Sequence, residues 1–173
     1  MDQTVTPVTT KGLILGLILI VIALVIYFSG IDMTSGIQYL GYLIFLAGII
    51  FCITQYGKQI NHTATFGNYF AHGFKISAIV TIIMIAYVIA FILVFPEFKD
   101  KAMEVARKNM QSKNLSEEQI DTALGWSRKF FTTFLIAGTL VGYLVFGAIA
   151  SLIGAAVTKK NPVGFQQQID QTS

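Results

Sequence analysis

Residues 65–96, TFGNYFAHGFKISAIVTIIMIAYVIAFILVFP, decide the fold because they join an amphipathic segment to an uncharged one. The run at residues 76–95 holds 20 residues without a charge, about 30 Å of helix, which matches the hydrocarbon core of a bilayer. Ahead of it, apolar residues recur at helical spacing, and Thr65 is placed to cap a helix. We therefore predict an interfacial amphipathic helix before this span. Its motif comprises Phe66, Gly67, Phe70, Gly73, Phe74 and Lys75.

Three further apolar runs have the length of a membrane span, at residues 12–28, 37–54 and 130–157. The composition agrees, since 54% of the residues are hydrophobic and 12% are charged, against about a quarter charged in a soluble domain. We expect an all-α integral membrane protein, a single membrane domain over residues 1–173 with four transmembrane helices. The polar ends, residues 1–11 and 161–173, are expected to be disordered tails.

Residues 96–129 lie between the third and fourth spans and keep helical spacing, unlike a loop. Two charge pairs have the i, i+4 spacing that stabilises a helix, Glu97–Lys101 and Glu104–Lys108. The clearest local signal is a capping box with a hydrophobic staple, formed by Leu115, Ser116, Gln119 and Ile120. We predict an extramembrane helical hairpin whose second helix starts at this box and continues unbroken into the last span.

Small residues recur at intervals of about one helical turn in the first and last spans, which lets helix backbones approach closely. The residues in this pattern are Gly12, Gly16, Gly138, Gly142, Gly147 and Ser151. We interpret them first as internal packing of the four helices and second as the face of a homo-oligomer. The single cysteine, Cys52, lies in an apolar run and is expected to be buried and unreactive.

An ionisable group inside a span is the usual sign of transport or proton relay, and none of the four apolar runs contains one. Hydroxyl side chains offer a small polar path, formed by Ser77, Thr81, Thr132, Thr133 and Thr139. The interpretation that we favour is that these hydroxyls bond to the preceding helical turn or to a neighbouring helix.

His62 and His72 are the only histidines, and no Cys, Asp or Glu lies near them in the sequence. Because zinc requires three or four ligands, we expect two solvated interfacial histidines, no metal site and no cofactor. No nucleophile motif, phosphate loop or dinucleotide fingerprint occurs, so no enzymatic activity is expected. The scattered basic residues also give no support to a nucleic-acid partner.

Four spans place both termini and residues 55–75 on one side of the membrane. That side carries five Lys residues and the hairpin carries seven Lys or Arg, so the count alone does not decide the orientation. Lys11 precedes the first run and Asp32 follows it, while Lys159 comes directly after the last run. On this pattern we expect a multi-pass protein of the inner (cytoplasmic) membrane with both termini in the cytoplasm.

The pattern Thr65-Phe66-Gly67 to Gly73-Phe74-Lys75, then Phe95-Pro96-Glu97-Phe98, then a Gly-rich last span closed by Lys159-Lys160, covers most of the chain. In these motifs the chain resembles an uncharacterised family of bacterial four-span membrane proteins, domain of unknown function 4199. Asn68-Tyr69 stands where the family pattern has a carboxylate, so the resemblance carries no acid role to this chain. It implies an inner-membrane location and a fold, and no mechanism.

Two functions follow as hypotheses. In the first, the protein is a non-enzymatic membrane anchor or interaction protein whose hairpin, residues 96–129, contacts an unknown protein partner or the lipid bilayer surface. In the alternative, it is a small oligomeric permease or channel that uses the hydroxyl residues, with the segment at residues 66–74 as its gate.

Overall fold

The computed structural model describes residues 5–30 and 36–161. These residues form helices and no strand, in the order α1 (Val8–Phe28), a 3₁₀ turn (Ile37–Tyr39), α2 (Leu40–Gln59), α3 (Phe66–Val94), α4 (Glu97–Gln111), α5 (Glu117–Lys129) and α6 (Phe131–Val157). The four helices α1, α2, α3 and α6 are long and apolar enough to cross a membrane. The predicted all-α fold with four membrane helices is therefore confirmed.

The first span begins earlier than the apolar run suggested. Residues 8–11, which we assigned to a disordered tail, are helical, because Pro7 has the φ of −58° that suits a helix entry and its carbonyl accepts from Lys11 N. At the other end, Asn161 N donates to His62 O (2.9 Å), so the C-terminal tail is attached at its first residue. The rest of the two predicted tails, residues 1–4 and 162–173, lies outside the described residues.

The amphipathic segment and the third span form one helix, α3, and not a separate surface helix followed by a span. The Thr65 cap is confirmed, since its hydroxyl accepts from Asn68 N (3.3 Å). The helix does not break near Lys75 because Tyr69 and Gly73 continue in register into the buried face of the span. Its 29 residues extend about 43 Å, longer than a hydrocarbon core of roughly 30 Å, so part of α3 extends beyond the apolar layer.

A break at Phe130 separates α5 from α6, where we predicted an unbroken helix. Phe130 has φ −106° and ψ 17°, although its N–H still donates to Trp126 O (3.0 Å). The break separates two ring contacts: Phe130 stacks on Trp126, while Phe131 is buried and faces Phe98 of α4. The hairpin therefore meets the last span through a kink.

Helix α3 is central, since it packs against α1, α2 and α6, and α2 also packs against the other three spans. The core between them has no exposed surface at six large residues: Phe45, Ile49, Ile53, Tyr69, Ile76 and Val80. The succession of spans defines two ends of the bundle. We call the end where α1 and α3 begin the terminal end, and the end where they finish the hairpin end.

The glycines of the first span sit directly against α3. A Cβ at Gly12 would lie 2.7 Å from Cγ2 of Ile79, and a Cβ at Gly16 would lie 2.9 Å from Cδ1 of Ile83. Real Cβ atoms essentially never approach so closely, so any larger residue would push α1 away from α3.

The small residues of the last span differ in how closely neighbouring helices approach them. A Cβ at Gly147 would lie 2.5 Å from Cβ of Ser77, and Ser151 is fully buried. A Cβ at Gly142 would lie 3.0 Å from the hydroxyl of Tyr42. The prediction that Gly138 takes part in internal packing is wrong, because a Cβ at this position would meet nothing within 4 Å.

The hairpin has its own supports. The predicted capping box is present: Ser116 Oγ accepts from Gln119 N (3.4 Å) and Gln119 Oε1 accepts from Ser116 N (3.1 Å). Of the two staple residues, Ile120 is fully buried, whereas Leu115 keeps 42% of its surface exposed. The predicted Glu104–Lys108 pair is also present, at 2.9 Å.

Candidate functional sites at the two ends of the bundle

The two ends of the bundle differ in charge. The Lys residues of the terminal end are Lys11, Lys58, Lys75, Lys159 and Lys160. All six carboxylates of the described residues lie in the hairpin, between Glu97 and Asp121. Among the described residues, the terminal end is therefore cationic and has no carboxylate to neutralise it.

Lys11 was placed outside the first span by the sequence prediction, because the apolar run begins at Gly12. It lies in α1, is only 4% exposed, and donates from Nζ to the carbonyl oxygen of Cys52 (3.2 Å). Its Nζ also lies 5.8 Å from the ring centre of Tyr56. Because the helix starts at Val8, an ionisable group does belong to a span, packed between α1 and α2.

Tyr56 links this lysine to a histidine. The rings of Tyr56 and His72 stack at 3.8 Å with an interplanar angle of 5°, and Tyr69 meets Tyr56 edge-on at 5.9 Å. His72 Nε2 and His62 Nδ1 are buried and have no hydrogen-bond partner among the described residues. The prediction that both histidines are solvated is therefore wrong for these two nitrogen atoms. The tyrosine rings and the Gly57–His62 turn cover them.

The C-terminal end of α6 closes over the start of α3. Lys160 Nζ donates to Ala155 O (3.0 Å) and lies 5.7 Å above the ring of Phe66. A basic side chain at this position stabilises the last helical carbonyls. Tyr69 adds a hydrogen bond from its hydroxyl to Lys159 O (3.5 Å).

The residues of the predicted interfacial motif do not share one exposed face of α3. Gly73 is buried in the core, while Phe70 and Phe74 are half-buried and stack at 5.8 Å. The remaining members are exposed: Phe66, Gly67 and Lys75. The buried part packs the bundle, and the exposed part lines the outside of the terminal end.

At the hairpin end, Tyr27 of α1 organises the junction between spans and hairpin. Its ring contacts four others, at centroid distances of 4.9 to 6.3 Å: Phe28, Phe91, Phe95 and Phe98. Its hydroxyl donates to Glu97 Oε1 (3.2 Å), and Lys101 Nζ lies 5.5 Å above the ring. The predicted ion pair between Glu97 and Lys101 does not form. Instead, both residues contact Tyr27.

A cavity of about 320 Å³ lies beneath this junction. It is lined by residues of α1, α2, α3 and α6 and by Phe98 of α4, and none of its lining residues is charged. Four tyrosines contribute to the lining: Tyr27, Tyr42, Tyr87 and Tyr143. The cavity is an apolar space with a few phenolic groups.

The hydroxyls considered as a polar path bond to their own helices. Ser77 donates to Gly73 O (3.0 Å), Thr81 to Ser77 O (2.8 Å) and Thr139 to Leu135 O (2.8 Å), which confirms the favoured interpretation for these three. Thr132 and Thr133 are exposed.

Two features escaped prediction from the sequence, the buried Lys11 and the tyrosines of the cavity. The signal for Lys11 was its position one residue before Gly12, where the close approach of helices leaves no room for solvent. For Tyr87 and Tyr143, the signal was a hydroxyl in the middle of an apolar span. No three metal-binding side chains come together in the part of the chain that the structure describes.

The chain matches a known protein family. A family model described as "Protein of unknown function (DUF4199)" matches residues 10–160. No curated protein and no solved structure matches the chain. The match covers all four membrane helices except the first two residues of α1, together with the hairpin. The chain therefore belongs to the DUF4199 family of proteins of unknown function.

Proposed function

We propose that this integral membrane protein is a non-enzymatic anchor that presents the α4–α5 hairpin to a helix of a partner protein. The observation that carries the proposal is a groove of about 390 Å³ between α4 and α5, on a hairpin with its own stabilising contacts. We further propose that it resides in the cytoplasmic membrane.

Three ion pairs join the two hairpin helices to each other. Arg107 of α4 pairs with Glu117 and Asp121 of α5, and Arg128 Nη2 of α5 lies 3.3 Å from Asp100 Oδ1 of α4. Each exposed pair is worth little alone, about 0 to 1 kcal/mol, but together they fix the pairing of α4 with α5. A fixed pairing keeps the groove open.

The groove suits an amphipathic helix. Met103 and Leu124 give it an apolar floor, and both signs of charge lie along its edges. A Cβ at Gly125 would meet nothing within 4 Å, so a partner backbone has room to approach there. Helices bind to grooves through an apolar face, and charges of both signs at the rim set the register.

The charge distribution supports an orientation with the hairpin outside the cytoplasm. The terminal end has five Lys residues and no described carboxylate, a pattern that suits the negatively charged cytoplasmic leaflet. The test is labelling of single cysteines, at Gly125 for the hairpin and at Lys159 for the terminal end, in a Cys52→Ala background. An impermeant maleimide should modify only the Gly125→Cys variant in intact cells. Modification of only Lys159→Cys would reverse the orientation.

The partner proposal is tested by photocrosslinking in native membranes. A benzophenone amino acid placed at Gly125 should give a crosslinked product of defined mass, which mass spectrometry identifies. The matched control is the same amino acid at Trp126, an exposed aromatic position on the same helix, about 100° around the axis from Gly125 and outside the groove lining. No product at Gly125, or equal products at both positions, would contradict the proposal.

The permease alternative has less support, because Ser77, Thr81 and Thr139 bond to carbonyls of their own helices. A solute path would have to run between copies of the chain. Flux of small solutes into reconstituted vesicles is the measurement that would restore this alternative.

A further inference from the structure

The cavity at the hairpin end has the dimensions of a ligand site within the bilayer. Along α1 it extends from Leu19 to Tyr27, which is about 12 Å of helix. It therefore reaches from the middle of α1 to the hairpin end, where Phe98 lines it. A molecule that enters it comes from the lipid phase.

Three hydroxyl groups in this cavity donate no hydrogen bond to another described residue, those of Tyr42, Tyr87 and Tyr143. Tyr87 and Tyr143 line the cavity, Tyr143 is only 8% exposed, and neither hydroxyl donates a hydrogen bond to another described residue. Thr139 beside them already donates to Leu135 O. A hydroxyl group in apolar surroundings gains free energy from a hydrogen bond, so the phenols of Tyr87 and Tyr143 can donate to an acceptor on a ligand.

The lining also restricts the charge and size of that ligand. No Lys, Arg, His, Asp or Glu is among the lining residues, so a phosphate or a carboxylate would be bound without a counter-ion. An apolar cavity of about 150 Å³ accepts one benzene, so about 320 Å³ accepts roughly two fused rings. The space is too small for a complete phospholipid.

We propose that this cavity binds a neutral, ring-bearing lipid of the two-ring quinone type, whose carbonyl oxygens accept hydrogen bonds from Tyr87 and Tyr143. The rings lie among the apolar side chains of the four spans, and any lipid tail extends towards the bilayer. This site is separate from the α4–α5 groove, and the inference does not depend on the proposed partner of the hairpin.

The test uses the full chain purified in detergent and menadione, a two-ring quinone without a tail, as the probe. Binding is measured by native mass spectrometry during titration and by the rise in Tm at saturation. Gly41→Leu places a side chain at a cavity-lining glycine whose Cβ position is open, and should weaken binding more than tenfold. Gly138→Leu, at an equally open glycine outside the lining, is the matched control and should bind as the unaltered chain does.

Tyr87→Phe and Tyr143→Phe keep the rings and remove the donors, and each should weaken menadione binding roughly three- to tenfold. Hexadecane and palmitate are the competing probes, and neither should bind with an affinity that depends on the two hydroxyls. If Gly41→Leu fails to fold, Ala23→Phe fills the same cavity from α1. Unchanged menadione affinity in the filled variants, or in both phenylalanine variants, would overturn the proposal. Tighter binding of palmitate would overturn it in favour of an anionic lipid.

Discussion

The terminal end and the hairpin end are built from the same four spans, yet one is closed and the other contains a cavity. At the terminal end, a Cβ at Gly12, Gly73 or Gly154 would come within 3 Å of a side chain on a neighbouring helix. At the hairpin end, Gly41 and Gly138 have no such neighbour within 4 Å. Small residues therefore determine how near the spans lie, while tyrosine and phenylalanine rings separate the spans where glycine contacts are absent.

Enlarging one glycine at each end is the strongest test of this comparison. Gly73→Leu should lower the free energy of unfolding by about 3 kcal/mol, because the new side chain overlaps Ile53 and Ser151. Gly41→Leu should change it by less than about 0.5 kcal/mol, since the Cβ position is open. Far-UV circular dichroism during titration with SDS in mixed micelles measures both. Equal losses at the two positions would contradict the proposed difference in packing.

Removing the ring of Tyr27 tests whether the hairpin end is held by aromatic contacts. Tyr27→Ala should destabilise the junction by about 2 kcal/mol, because it removes four ring contacts. Hydrogen exchange should accelerate in α4 and stay unchanged at the terminal end. Tyr27→Phe loses only the bond to Glu97, so its exchange should remain close to that of the unaltered chain. Faster exchange throughout α1 in Tyr27→Ala would show that the two ends are not independent.

Lys11 allows a test of the closed end that separates packing from charge. Lys11→Ala should cost about 1.5 kcal/mol, because it removes both the buried stem and the hydrogen bond to Cys52 O. Lys11→Met keeps the stem volume and should cost less than about 1 kcal/mol. The same SDS titration compares the two variants. Equal losses would mean that the ammonium, and not the packing of its stem, carries the stabilisation.

The helix caps give the smallest expected effects. Ser116→Ala and Thr65→Ala should each cost about 1 kcal/mol, since each removes a side-chain acceptor for a backbone N–H. Ser116→Ala should accelerate hydrogen exchange only in α5, and Thr65→Ala only in the first turns of α3. Exchange that spreads from α5 into α6 would show that the kink at Phe130 does not isolate the hairpin.

The fold was predictable to the extent that its signals are local. Span length, the Thr65 cap, the capping box at Ser116 and the Glu104–Lys108 pair each depend on a few neighbouring residues, and each is present. The break at Phe130 was missed because it depends on a ring contact between Phe131 and Phe98, which are far apart in the chain.

The candidate sites were less predictable for the same reason. Whether a glycine packs depends on what faces it, so the pattern that correctly included Gly12 also included Gly138. The stacking of His72 on Tyr56 joins two helices, and no spacing within either helix indicates it. The cavity is a property of distances between helices, which the order of residues along one helix does not specify.

The unequal charge of the two ends makes the molecule responsive to the membrane potential. Among the described residues, the terminal end carries five positive charges, whereas the seven basic and six acidic groups of the hairpin nearly cancel. Moving one elementary charge across a membrane potential of 100 mV changes its free energy by about 2.3 kcal/mol. When Asp2, Asp32 and Asp170 are included from the sequence, the two sides carry +3 and 0. A membrane with a negative interior then favours internal termini by roughly 7 kcal/mol per 100 mV. Such a potential acts in the same direction as the charge distribution from which internal termini are proposed.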